Sequence, residues 1–300
     1  MGYRLPLPRD CMALRSENFL LRRYIEKAMV DLPALPSVVM QVIQATEKET
    51  VSTSEIEKLL ASDPAITAKL LKVVNSAYFG LPRQIVNVNQ TIAILGLLQV
   101  RNLVMSIGVL NVLNSPSPRI IDVQKHFWQH SFAAASCAET LARTRNRPRK
   151  VVEMIFVGGL LHDVGRLFLF TLFNLPYQEV IKESLKKEEP LAEVENRILG
   201  TTHAGLGGML ADKWNFPQCL VDMIKYHDSF PEGCVDESLY FVHVADAIAN
   251  ELAPAENIGI RAPISLRAID ALNLSEEELN QLREQTSVQL ELAQELLGVM

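Results

Sequence analysis

The chain has 300 residues, 48% hydrophobic, 21% charged and only 6% aromatic, a balance that fits a sizeable globular core and excludes an extended disordered chain. Its net charge of −6 gives no general attraction for nucleic acid or an anionic membrane, although residues 1–120 sum to +4 and residues 121–300 to −10, as two halves with different surfaces would. Four scattered cysteines, Cys11, Cys137, Cys219 and Cys234, form no C-x-x-C pair, which excludes a zinc ribbon or redox dithiol and predicts a reduced, cytoplasmic setting.

The spacing predicts an amphipathic helix over Leu14–Val30, with Leu21, Ile25 and Ala28 on its apolar side. Leu32-Pro33-Ala34-Leu35-Pro36-Ser37 breaks it and restarts a helix over Val38–Glu47. Thr53-Ser54 with early acids starts a helix to about Ala61, and Asp63-Pro64 caps the next. That helix ends near Asn75, in a loop closed by Gly80 and Pro82. A strongly apolar helix is expected from Gln90 to Leu113, with Gly96 and Gly108 allowing close helix approach. Asn114-Ser115-Pro116-Ser117-Pro118-Arg119 reads as the linker between halves. Asp63 and Asn75 are explained by capping and helix-end roles, and the first half shows no set of acids, histidines or cysteines at ligand spacing.

The second half opens with a predicted helix from Asp122 to Arg143 that carries His126 and His130, four apart. His130, beside Ser131 and Ala133-Ala134-Ala135, is the better candidate for an interior site, and His126 is read as structural. Arg143, Arg145, Arg147, Arg149 and Lys150 read as a solvated connector, since a nucleic-acid surface would interleave aromatics. If Val151–Thr171 is one helix, His162 and Asp163 lie about 100° apart around its axis. Burying that pair without partners costs roughly 2–7 kcal/mol even for neutral groups, so it needs a hydrogen bond or a metal. Asn174-Leu175-Pro176 is expected to end the segment, before an exposed helix through Lys187 and a short one over Leu191–Leu199. His203 falls near the start of a helix running to Trp214, and a further helix ends at Tyr226-His227-Asp228. Ser238–Asn250 carries His243, read as packing or surface, and Asp246, a carboxylate in an apolar stretch. His130, His162-Asp163, His203, His227 and Asp246 thus come from five helical segments, the logic of a metal site in a helical bundle.

That order, with Gly-Leu-Leu-His-Asp-Val-Gly-Arg-Leu around His162-Asp163, resembles the HD superfamily of metal-dependent phosphohydrolases. Leu32-Pro33-Ala34-Leu35-Pro36, Asp63-Pro64-Ala65-Ile66-Thr67, Val74 to Pro82 and Ala93-Ile94-Leu95-Gly96-Leu97 resemble the HDOD family, an HD-related output module of bacterial signalling proteins. The likeness spans residues 32–250. It implies an all-α helical bundle in two packed halves, residues 1–115 and an HD-like 116–260, followed by a C-terminal helical extension over 261–300. It makes His130, His162, Asp163 and Asp246 metal ligands, with His203 and His227 for a second ion, and the metal a divalent Fe, Mn, Zn or Ni, one or two ions. Arg166 is a phosphate-binding candidate. Cyclic-di-GMP-cleaving relatives carry a Gly-Tyr-Pro motif after paired histidines; this chain has Tyr226-His227-Asp228 and no such motif.

The resulting expectation is a cytoplasmic regulatory module that acts through a protein partner in a signalling pathway or a small phosphorylated ligand. The alternative is a metal-dependent phosphohydrolase acting on a nucleotide or phosphodiester. The absence of a recognisable receiver or kinase segment implies an input from another chain or a ligand. No run reaches the ~20 apolar residues of a membrane span, so no membrane partner is expected. The overall acidity weighs against nucleic acid. The helix over 274–300 could pair two copies as a homodimer or fold back on its own domain.

Overall fold

Apolar residues at three- and four-residue spacing, punctuated by caps and prolines, make the chain helical throughout. The computed structural model describes residues 18–48, 50–76, 79–113, 118–233, 236–252, 259–261 and 263–297. The first half holds α1 (Asn18–Asp31), α2 (Ser37–Thr46), α3 (Thr53–Ala61), α4 (Pro64–Val74), α5 (Val88–Leu95) and α6 (Leu97–Leu113). The second holds α7 (Pro118–Thr144), α8 (Arg149–Leu161), α9 (Val164–Lys187), α10 (Leu191–Leu199), α11 (His203–Lys213), α12 (Gln218–Tyr226) and α13 (Ser238–Glu251). α14 (Leu266–Leu272) and α15 (Glu276–Leu297) follow. Among the described residues there is no strand, only an isolated parallel bridge between Pro190 and Ile260. The all-α class therefore stands. The predicted helix start at Leu14, Ala77-Tyr78, residues 114–117 of the linker, Cys11 and Cys234 lie outside the described residues.

Local chemistry explains most boundaries. Asp63 Oδ1 accepts from Ala65 N and Ile66 N, both at 3.1 Å, ahead of Pro64 in the first turn of α4. Ser52, one residue before the expected Thr53, caps α3 by accepting from Glu55 N. The Asn75 amide donates to Leu71 O and Ile85 O and accepts from Ile85 N, closing the loop after α4. Both Asp63 and Asn75 thus have the structural roles expected of them.

Two expected boundaries are corrected and a third is kept. The single helix over Gln90–Leu113 is two helices, α5 and α6, bent by 118° at Gly96. Gly96 has φ 89°, and a Cβ there would lie 2.6 Å from Arg149 Nη2, so the chain turns where only glycine fits. The single helix over Val151–Thr171 is interrupted at His162-Asp163, between α8 and α9. The stop expected at Asn174-Leu175-Pro176 is present as a break: the backbone leaves the helical path at Phe173 (φ −129°, ψ 33°), and the following helical stretch runs to Lys187 as expected. The kink puts Pro176 in the first turn after a break, where its missing N–H costs no hydrogen bond.

One apolar cluster runs from Leu21 to Leu282 and includes residues of both halves. Asn102 Nδ2 donates to Glu153 O at 3.0 Å and Arg149 Nη2 to Leu95 O at 2.8 Å, joining α6 and α5 to α8. α15 folds back on α7, with Leu290 against Ala133, Ala134 and Ala249. Its N-terminus is a capping box in which Glu278 N donates to Ser275 Oγ and Ser275 N to Glu278 Oε2. Two arginines of the basic run serve this packing, Arg145 paired with Glu278 and Arg147 with Glu237, whereas Arg143 and Arg149 make i,i+4 pairs with Glu139 and Glu153 along their own helices. By length and composition the stretch Arg149–Lys187 could cross a membrane, but 89% of its most apolar window is buried in the fold, as befits core helices.

Candidate metal centre

The break between α8 and α9 sits in the middle of the second half and aims two side chains inward. Asp163 (φ −93°, ψ 14°) leaves the helical path, and its carbonyl accepts from Arg166 N and Leu167 N to start α9. Helices pack tightly around it. A Cβ on Gly159 would lie 2.7 Å from Ala135 Cα of α7, and one on Gly165 would lie 2.0 Å from His203 O of α11. This close fit brings the middle of α7 (His130), the break (His162, Asp163), the first residue of α11 (His203), the turn after α12 (His227) and α13 (Asp246) to one place. All six predicted ligand residues are buried.

They form two groups that share Asp163. In the first, His130 Nε2 and His162 Nε2 are 3.2 Å apart, and each is 3.1 Å from Asp246 Oδ1. Asp163 Oδ2 lies 3.7 Å from His130 Nε2 and 3.6 Å from His162 Nε2. In the second, His203 Nε2 and His227 Nε2 are 3.3 Å apart, and Asp163 Oδ1 is 3.3 Å from the former and 3.5 Å from the latter. One carboxylate thus presents an oxygen to each group.

The hydrogen bonds behind the rings decide what faces the centre. His162 Nδ1 is 2.7 Å from Gly159 O, His227 Nδ1 2.8 Å from Ile224 O, and His203 Nδ1 2.7 Å from Glu195 Oε2. Carbonyl and carboxylate oxygens only accept, so each Nδ1 carries the proton and each neutral ring leaves a bare Nε2 lone pair pointing inward. Three such lone pairs converge with carboxylate oxygens in a buried space, and only a cation or added protons can hold them together. Fixed Nδ1–H partners of this kind are how proteins orient metal-binding imidazoles. The donor set fits a divalent transition metal.

The charges fit the same picture. Burial alone would raise the Asp163 carboxyl, but Arg166, Arg261 and His162 hold it well below the usual carboxylate range. Asp246 is likewise held far down against its burial by His162 and His130. In the ion-free fold His203 takes the added proton: burial would lower it, yet Glu195 and Asp228 push it up to about 10. His130, whose Nδ1 has no hydrogen-bond partner among the described residues, is lowered by burial.

Several contributors were not among the expected residues. Asp228 Oδ2 lies 2.9 Å from His203 Nε2; it repeats after His227 the His-Asp doublet of His162-Asp163, a signal present in the sequence. Glu195 accepts from His203 N at 2.8 Å and from Tyr177 Oη at 2.6 Å. Its sequence signal is an acid next to Val194 on an amphipathic helix. Asn250, one turn after Asp246, donates to Asp246 Oδ1 at 2.8 Å. Arg261 Nη2 donates to Asp163 Oδ2 at 3.0 Å and Nη1 to Asp228 Oδ1 at 3.2 Å. Nothing in its local sequence marks it.

Arg166 is buried, and its Nη1 donates to Asp163 Oδ2 at 2.7 Å. His126 is exposed on α7. His243 is packed inside, its Nδ1 donating to His227 O at 2.6 Å and its Nε2 accepting from Ser265 N at 3.0 Å, which braces the turn that carries His227.

An all-helical bundle around a buried His/Asp centre defines a helical protein of the His-Asp type. The family model of the HDOD domain matches residues 32–230, about two thirds of the sequence, and the chain belongs to the HDOD family. An uncharacterized protein of Treponema pallidum (strain Nichols) is 28% identical over 237 residues, covering 77% of this chain and 44% of that protein. The chain thus spans less than half the length of this curated relative. Two crystal structures share the fold. A candidate signal-transduction protein of Marinobacter aquaeolei VT8 superposes with a TM-score of 0.75 at 18% identity, over 98% of this chain and 67% of that one. A candidate phosphohydrolase of Shewanella amazonensis SB2B does so with a TM-score of 0.69 at 19% identity, over 91% and 97%.

Proposed function

We propose that this chain is a regulatory HDOD module of bacterial signal transduction whose buried centre holds a divalent transition metal and which acts by engaging a protein partner or a small phosphorylated ligand. The observation that carries the metal assignment is the convergence of inward Nε2 lone pairs on Asp163 and Asp246. His130, His162, Asp163 and Asp246 would hold the ion, and Asp163, His203 and His227 offer a second group of donors. Regulation is favoured over turnover by how enclosed and committed the polar groups are. His162, Asp163, His203 and His227 are fully buried, and Arg166, the phosphate-binding candidate, is spent on Asp163. The ion then works as a cross-brace for α7, the α8–α9 break and α13, whose packing a partner would read.

The second reading, a phosphohydrolase acting on a nucleotide or phosphodiester, is favoured by the same donor set. A divalent ion there supplies Lewis acidity toward a phosphoryl oxygen, and the 17% exposed side chain of Asp228 marks the side from which a substrate would enter.

Elemental analysis of protein purified without chelator tests the common ground. At least one equivalent of transition metal is expected in the wild type and a loss of it in His162→Ala; metal-free wild type sinks both readings. Robust turnover of a nucleotide or phosphodiester by the loaded protein would favour the second reading over the first.

A further inference from the structure

Arg261 reaches the second donor group from outside the helices that build it. Its Nη1 is 3.1 Å from His203 Nε2 and 3.2 Å from Asp228 Oδ1, and its Nη2 is 3.0 Å from Asp163 Oδ2 and 3.4 Å from Asp163 Oδ1. Its side chain is 9% exposed. We infer that the Arg261 guanidinium is the resident cation of the second donor group, so that this chain takes one divalent ion, at His130, His162, Asp163 and Asp246, and not two. The inference rests on the metal reading above and refines it.

Three observations carry it. First, the guanidinium lies against two of the donors that a second ion would need, His203 Nε2 and Asp163 Oδ1. Such an ion sits about 2.0–2.2 Å from imidazole nitrogen and carboxylate oxygen, which would place it against a guanidinium that has five donors, no lone pair to offer and no accessible neutral form. Second, the placement is built in. Ile260 N donates to Ser184 Oγ at 3.0 Å, and Leu191 N donates to Ile260 O at 2.7 Å. Four residues further on, Ser265 N donates to His243 Nε2. The strap that carries Arg261 is thus docked on both sides of it. Third, the charges balance for one ion. Asp163, Asp228, Asp246 and Glu195 against Arg166 and Arg261 leave at most two negative charges, the number with every imidazole neutral, which a single divalent ion cancels. A second ion would leave an uncompensated positive centre inside the fold, which is strongly disfavoured.

The test is a count on the full chain, stripped with chelator and dialysed to equilibrium against Mn²⁺. The wild type is expected to hold one ion per chain with the EPR spectrum of isolated Mn²⁺. Arg261→Met, which keeps the length of the side chain and removes its charge, is expected to hold two with a spin-coupled spectrum. Arg261→Lys, which keeps the charge, is expected to stay at one. Two ions on the wild type, or one on a folded Arg261→Met, overturns the resident-cation assignment and leaves the metal reading standing. No ion on the wild type overturns the metal reading and this one with it. Should Arg261→Met fail to fold by near-UV circular dichroism, the counts on the wild type and Arg261→Lys still decide, since two ions on either contradicts the assignment.

Discussion

Gly165→Ala probes the closest helix contact behind the centre. The added Cβ would lie 2.0 Å from His203 O and 2.7 Å from Gly207 N, both backbone atoms of α11. Ordinary contacts need more than 3 Å, so α9 and α11 must separate by about 1 Å. Overpacking of this kind costs about 1–3 kcal/mol, and the upper end applies because no flexible side-chain tip can move aside. The gain in helix propensity from glycine to alanine, about 1 kcal/mol, offsets part of it and leaves a net loss near 2 kcal/mol. Gly205→Ala on α11 is the control. Its Cβ would meet only the side-chain oxygens Thr202 Oγ1 at 3.3 Å and Thr201 Oγ1 at 3.5 Å, so the same propensity gain meets no backbone clash and the variant is expected to match the wild type or exceed it by up to about 1 kcal/mol. Urea unfolding of the metal-free proteins, followed by circular dichroism, reads both. With a slope of at least about 1–3 kcal/mol/M, the Gly165→Ala midpoint should fall by up to about 1–2 M. An unchanged midpoint for Gly165→Ala, or a larger loss for Gly205→Ala, refutes the close-approach reasoning.

Asp163→Asn leaves Arg166 and Arg261 without their shared buried counter-charge. A loss of about 3–5 kcal/mol is expected in urea unfolding of the metal-free protein, as for one-sided removal of a buried pair; a change below 1 kcal/mol would show that the two guanidiniums find other partners. Cys137 is buried, which pushes its thiol up to about 11, whereas Cys219 is exposed. Iodoacetamide at pH 8 should label Cys219 in the native protein and Cys137 only after unfolding, as peptide mass mapping would show. The Glu278 carboxyl is held down to about 2 by Arg145 and the Ser275 cap. Because its folded value lies below its unfolded one, its stabilisation is fully present above about pH 4.5 and is lost as pH falls through 2. The pair is partly exposed, so solvent screening keeps the effect under about 1 kcal/mol. Glu278→Gln should accordingly be slightly less stable than the wild type at pH 7 and converge with it as the pH approaches 2. A gap that persists at pH 2 would assign the effect to packing.

The helices were legible because capping residues, prolines and apolar periodicity act locally. Asp63-Pro64, Leu191–Leu199 and the end of α12 at Tyr226 all fall where the sequence puts them. The six ligand candidates were legible through the order of their motifs, and the structure gathers all six. What stayed hidden depends on distant contacts. The break at His162-Asp163 is invisible in a run that is apolar on both sides, because the pull on the chain comes from α7 and α11. Gly96 reads as a packing glycine until Arg149 is known to lie over it. Arg261 enters the site only because Ser184 and Leu191, some seventy residues earlier, anchor its neighbour.

The family match ends at residue 230, yet the centre does not close there. Asp246 comes from α13 and Arg261 from the strap beyond it, and Ala249 of α13 covers Ala133 and Ala134 of α7. A fragment trimmed to the family boundary would keep the His-Asp signature while losing Asp246 from the first donor group and baring the alanine face of its longest helix. The recognisable module and the cooperative folding unit therefore have different edges. Excision, fusion and domain-swap designs on this scaffold should cut by the second, carrying the chain through α15.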